Sequence, residues 1–185
     1  MRNTFDAPDG IRGDGMAATV SLREVVDELE ALVDESAAYL NRETGEVYSV
    51  RDEDAGVVED GLDTDDLPEW LSDEMPKVRE VLESEDWLPL PTRFDIHEWV
   101  IMDGFARSVD DADVRDELLA AIRGRGAFRC FRDAVHRRGI HEDWYRYKSA
   151  ALGRIVVDWL EEHDVVYIED VDSTPQGRAS NRDTT

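Results

Sequence analysis

The chain has 185 residues, 41% of them hydrophobic, which is enough for one ordinary core and short for two independent domains. It carries 45 Asp and Glu against 21 Lys and Arg, a formal net charge of -24. Its single cysteine, Cys130, excludes an intrachain disulfide and fits a reducing compartment, and no run approaches the roughly 18 apolar residues of a membrane span or a signal-peptide core, so the expected location is the cytoplasm, with no membrane partner.

Residues 1–18 are rich in Gly, Asp and Arg without periodicity and are expected to be a disordered extension, with Met16 as an alternative start. Ser21-Leu22-Arg23-Glu24 has the form of a capping box. Behind it Leu22, Val25, Val26, Leu29, Leu32 and Val33 recur at the spacing of an amphipathic helix. Ala38–Asn41 and Glu46–Val50 flank Arg42-Glu43-Thr44-Gly45, and a glycine suited to a left-handed turn position predicts a β-hairpin. From Arg51 to Asp66 acid dominates. A calcium loop opening on Asp52 and Asp54 would need its glycine one place later than Gly56, so the expectation is a solvated linker or a third, ragged strand through Val57 and Val58.

Leu67-Pro68-Glu69-Trp70-Leu71 opens a helix whose apolar face continues through Val78, Val81 and Leu82, with Pro76 interrupting or restarting it. Trp87–Pro91 is extended, and its two prolines cannot donate to a ladder, which restricts it to a sheet edge. Asp95-Ile96-His97-Glu98 predicts a second capping box, heading a helix with Ile96, Trp99, Val100 and Phe105 on its apolar face. A zinc-protease reading of His97-Glu98 fails because Ile101 occupies the place of the second histidine, and no metal site is expected.

The one concentrated block of positive charge runs from Arg123 to Arg138. Val114, Leu118, Ala121 and Ile122 mark a helix that Gly124 would end; Gly126 opens a second run in which Phe128, Phe131, Ala134 and Val135 form the apolar face and Gly139 the C-terminal cap. Arg129, Arg132, His136 and Arg137 lie on the opposite side, and Cys130, beside Phe131, reads as a small core residue. Free backbone N–H groups at this helix start, with arginines close by, make Arg123, Gly124, Arg125, Gly126, Arg129 and Arg132 the candidate anion-binding set. Two readings compete with it: arginines paired with the chain's own carboxylates across two antiparallel helices, and a protein interface. Gly124-Arg125-Gly126 lacks the third glycine of a dinucleotide fingerprint, and no Gly-Lys-Ser/Thr occurs.

Trp144, Tyr147, Ala151, Leu152, Ile155, Val156 and Trp159 mark a helix of about five turns with its aromatics in the core. Val165–Glu169 is a short strand, and residues 171–185 are expected to be a disordered tail. His136 and His141 flank Gly139 without a nucleophile in a usable context, so catalytic residues remain unknown.

Leu88-Pro89-Leu90-Pro91, Ile96-His97-Glu98-Trp99 with Met102, Arg123-Gly124-Arg125-Gly126-Ala127-Phe128 with Phe131, Trp144-Tyr145 and Trp159-Leu160-Glu161 together resemble a family of short prokaryotic proteins, uncharacterised protein family number one-five-eight of the UPF class. The resemblance covers about residues 20–169, and the Gly-Arg-Gly-Ala-Phe block is its most specific part. It implies no activity and no catalytic residue. Members of the family carry a continuous helix where this chain has Pro76. The composition, with abundant acid, retained Arg and only Lys77 and Lys148 as lysines, resembles that of proteins adapted to concentrated cytosolic salt. Charge is unevenly placed: Glu24 to Asp86 holds 23 acidic and 4 basic residues, net -19, whereas Arg123 to Arg154 holds 3 acidic and 9 basic, net +6. The two regions are either partners within one fold, or the first shields the second from nucleic acid.

The fold expected is a single, mainly helical α+β domain over residues 19–170, with five or six helices and a small, mostly antiparallel sheet gathering the hairpin, the Trp87 segment and the C-terminal strand. The function expected is a non-enzymatic cytoplasmic interaction or regulatory protein, without a cofactor, whose partner is another protein. The alternatives are a phosphate, nucleotide or RNA-binding module built on the Gly-Arg-Gly turn, and an enzyme with an unidentified active site.

Overall fold

A computed structural model describes residues 18–61 and 73–170. Residues 1–17 of the expected N-terminal extension, the expected tail at 171–185 and the Leu67–Leu71 helix start lie outside the described residues. The order is β1 (Val20–Ser21), α1 (Leu22–Ala31), β2 (Ser36–Asn41), β3 (Val47–Arg51), α2 (Asp52–Glu59), α3 (Met75–Glu83), β4 (Trp87–Pro89), α4 (Arg93–Ile96), α5 (Glu98–Ser108), α6 (Ala112–Ala121), α7 (Ala127–Arg137), α8 (His141–Glu162) and β5 (Tyr167–Ile168). The architecture is α+β and mainly helical, with eight helices among the described residues instead of five or six.

Local chemistry explains the elements that match expectation. Ser21 is the N-cap of α1 and accepts from the Glu24 N–H. The hairpin closes because Asn41 Oδ1 accepts from the Glu43 and Thr44 N–H groups, both at 2.9 Å, while Gly45 takes a φ of +77° that a side chain would disfavour. Pro76 lies in the first turn of α3, where its missing N–H leaves no bond unmade. The sheet order β3-β2-β4 puts the proline-bearing strand at an edge.

The alternation of the sheet divides the interior in two. Ala38 and Leu40 point toward the main core, built with Val25 and Val26 of α1, Met102 and Phe105 of α5, Phe131 of α7 and Leu152 and Val156 of α8. Val50 and Trp87, with Tyr39 and Tyr48, point the other way onto Met75, Val78 and Val81 of α3 and onto α2. The sheet is therefore covered on both faces.

Four expectations are corrected. The acidic stretch expected as a linker or strand through Val57 and Val58 is helix α2: Asp52, Glu53 and Asp54 crowd its first turn, where the helix dipole favours negative charge, and Ala55, Val57 and Val58 pack on the second core. The C-terminal strand does not join the hairpin; β5 pairs in parallel with β1, Val20 opposite Tyr167 and Ser21 opposite Ile168, as a separate two-stranded sheet. The capping box lies three residues earlier than expected, between Thr92 and Asp95 at the head of α4. Finally, His97, at a φ of +47°, breaks the chain between α4 and α5 and rotates the latter. Trp99 and Val100 consequently face outward, and Ile101, Met102, Phe105 and Ala106 are buried instead.

Candidate functional site

Helix α6 packs against both α5 and α7, and the first turn of α5 reaches the C-terminal end of α6, which the chain then leaves for α7 through a short connection. The contact is specific: Trp99 Nε1–H donates to the carbonyl oxygen of Ile122 at 3.1 Å. Residues 123–126 form the tight connection that follows. Ile122, not Gly124, is the residue that ends α6, and the left-handed residue of the turn is Gly126, φ +74°, which is also the N-cap of α7. No side chain caps that helix start and no acidic residue occupies its first turn, so its leading N–H groups have no intrahelical partner.

All six candidate anion-binding residues, Arg123, Gly124, Arg125, Gly126, Arg129 and Arg132, are exposed. Among the described residues, none of the four arginines has a carboxylate within 4.0 Å. Asp103 feels one of them: its carboxyl is held below the usual range first by a hydrogen bond from Arg107, and also by the charges of Arg107 and Arg123. The neighbouring arginines behave otherwise. Arg137 and Arg138 both clamp Glu117, tying the far end of α7 to α6 and holding the Glu117 carboxyl below its ordinary range. The block thus divides into two internal salt-bridge partners and four arginines that face solvent.

Two residues read as core belong to this surface. Phe128 is 53% exposed, one turn ahead of Phe131, which is buried against Phe105 and Trp144. The first turn of the helix runs past the edge of the core, so among the described residues the apolar stripe continues into solvent at Phe128. Cys130 is exposed as well, on the flank of the same helix. The sequence reading missed Trp99, which is 47% exposed with its ring edge anchored at the turn; Phe94 and Val100 are exposed beside it in sequence. The available signal was the doubled apolar stripe across residues 96–106, which only one rotation of α5 can bury.

Elsewhere, a groove of about 650 Å³ between α1 and α8 is lined by Arg23 and Asp27 on one side and Arg146, Gly153, Arg154 and Asp158 on the other. Nearby, partial burial raises the Glu30 carboxyl above its ordinary value, against the lowering effect of Lys148. His136 and His141 stack at the α7–α8 corner with ring centroids 5.4 Å apart. Among the described residues no group of three or more His, Cys, Asp or Glu is placed to hold a metal, and no helix is long and apolar enough to cross a membrane.

The sequence profile described as Uncharacterised protein family (UPF0158) matches residues 17–180. The chain belongs to the UPF0158 family. The match extends slightly beyond the 20–169 expected from the motifs and includes the whole arginine turn. A UPF0158 protein of Pseudomonas aeruginosa is 30% identical over 66 residues, a segment covering 35% of this UPF0158 chain and 43% of that relative, so the aligned part is less than half of either protein. No solved structure matches the chain.

Proposed function

We propose that this UPF0158 protein is a non-enzymatic cytoplasmic interaction protein that takes an anionic partner on the end surface formed by Trp99, the Arg123–Gly126 turn and the first turns of α7. The observation that carries the reading is the set of four exposed arginines, Arg123, Arg125, Arg129 and Arg132, with no carboxylate in salt-bridge range among the described residues, in a chain of 45 acidic side chains. In so acidic a molecule an arginine left without a partner is available to one from outside. Recognition suits the site better than bond-making, because its groups stand on open helix surface, whereas general acid–base and nucleophilic groups work in desolvated pockets.

The test is a thermal-shift series in molar KCl with inorganic phosphate and a short inorganic polyphosphate, on wild type, Arg125→Ala and Arg129→Ala. Because neither arginine holds an ion pair among the described residues, the variants should melt like wild type without ligand and lose the stabilisation by polyphosphate that wild type shows. Equal stabilisation of all three proteins, or none of any, overturns the reading.

A further inference from the structure

Resting on that reading, we infer that the anionic partner is a single-stranded nucleic acid, with bases stacked on Trp99 and Phe128 and phosphates held by Arg123, Arg125 and Arg129. A simple anion site needs donors and no rings. Here two half-exposed aromatics flank the arginine turn: Trp99 of α5, bonded to Ile122 immediately before it, and Phe128 of α7, two residues after Gly126. Trp99 is 47% exposed while its one donor is committed to the Ile122 carbonyl, so what it offers a ligand is apolar ring surface and not a hydrogen bond. A ring face and a guanidinium plane are the two platforms on which unpaired bases stack, whatever their sequence.

Charge complementarity selects the same partner. Residues 118–132 form the longest stretch of the chain without Asp or Glu, fifteen residues that include all four arginines. Arg123 to Arg154 holds 9 basic and 3 acidic residues, net +6, against a net of -19 from Glu24 to Asp86, so direct pairing with phosphate is favoured in this part of the chain. A duplex hides its base faces and leaves the rings idle, so single strands are favoured over duplexes. An acidic peptide would satisfy the arginines but has no flat face for Trp99, which places it second.

The experiment is fluorescence anisotropy of a short fluorescein-labelled single-stranded RNA, and of the same RNA annealed to its complement, over a KCl series in which the protein stays folded by circular dichroism. The single strand should bind more tightly than the duplex. Trp99→Ala should weaken binding about tenfold, the scale of one lost base–aromatic stack, while Trp99→Phe, which keeps a ring, should weaken it far less. Arg125→Ala and Arg129→Ala should each lower the slope of log affinity against log salt by about 0.7, the value for one phosphate contact on a single strand. Arg79→Ala, on the acidic half of the chain, should change neither. Duplex bound as tightly as single strand, or binding indifferent to Trp99→Ala, overturns the inference. If RNA does not bind but polyphosphate still stabilises wild type and not the arginine variants, the anionic surface stands and the nucleic acid falls. A phosphopeptide bound more tightly than RNA, with Trp99 required, likewise rejects the nucleic acid; failure of every anion rejects both.

Discussion

Phe131 is 1% exposed and meets Phe105 and Trp144 edge to face, whereas Phe128, one turn earlier on the same stripe, stands more than half in solvent. Phe131→Ala leaves a cavity among rings that cannot collapse and should lower stability by about 3–5 kcal/mol. Phe128→Ala removes little buried area and should change it by no more than about 0.5 kcal/mol. Urea unfolding of the two variants checks the pair, and equal losses would place Phe128 in the core after all. Glu117 carries a pH dependence. Its carboxyl is held below the ordinary 4.5 first by the hydrogen bond from Arg137, then by that from Arg138. A depressed carboxylate contributes stability that is present above the unfolded pKa and lost as pH falls through the folded one. Glu117→Gln should therefore melt below wild type at neutral pH, with the gap closing as the pH drops below 4.5; a gap that persists in strong acid would refute the clamp. Helical periodicity made Phe128 and Phe131 visible in the sequence, but not which turn of α7 leaves the core.

At the scale of the element, two glycines sit in helices without need of glycine's freedom. Neither Gly56 in α2 nor Gly153 in α8 has positive φ, and a Cβ added at either would meet nothing within 4 Å. Alanine at each should raise stability by about 0.5–1 kcal/mol, through a smaller loss of chain entropy on folding. Gly126 is the contrast: at φ +74° a side chain is strained, and Gly126→Ala should cost about 1 kcal/mol. Thermal melts of the three variants test both signs, and a destabilising Gly153→Ala would show that the groove floor is tighter than its open space indicates. Sequence patterning misread the elements around 52–59 and 93–108 for separable reasons. In α2 a glycine and a run of acid masked an eight-residue helix whose apolar contacts come from α3 and the sheet. In α5 two apolar stripes overlap, and the break at His97 decides between them.

The whole molecule carries a net charge of -24, and the Debye length falls from about 10 Å in 0.1 M salt to about 3 Å in 1 M. Carboxylates spread over this surface repel one another when unscreened, so the compact state should be weakened in dilute buffer. Of the ion pairs within it, Arg51 with the buried Asp54 and Lys77 with Glu46 lie in the most acidic region and offset only part of that repulsion. The melting temperature should rise continuously from dilute buffer to molar KCl, by circular dichroism, with tertiary structure recovered on adding salt. A melting temperature independent of KCl would dispose of adaptation to concentrated salt.

The amino-acid sequence by itself determined the elements whose chemistry is local. Capping and uninterrupted periodicity define α1, periodicity alone defines α8, and Asn41 and Gly45 close the hairpin. Pro76 opens a helix, and Pro89 keeps its strand at an edge. The arginine block and the family resemblance were legible for the same reason, since a contiguous motif needs no partner to be seen. Only the tertiary structure decided which faces are covered. It paired β1 with β5 across most of the chain, with Ser21 and Asp170 bonded over a separation of 149 residues. It turned Trp99 and Phe128 outward and sorted six arginines into two that clamp Glu117 and four that face solvent. Burial depends on what another part of the chain brings to a face, and a stripe that ends at the rim of a core looks, in one dimension, like a stripe that continues through it.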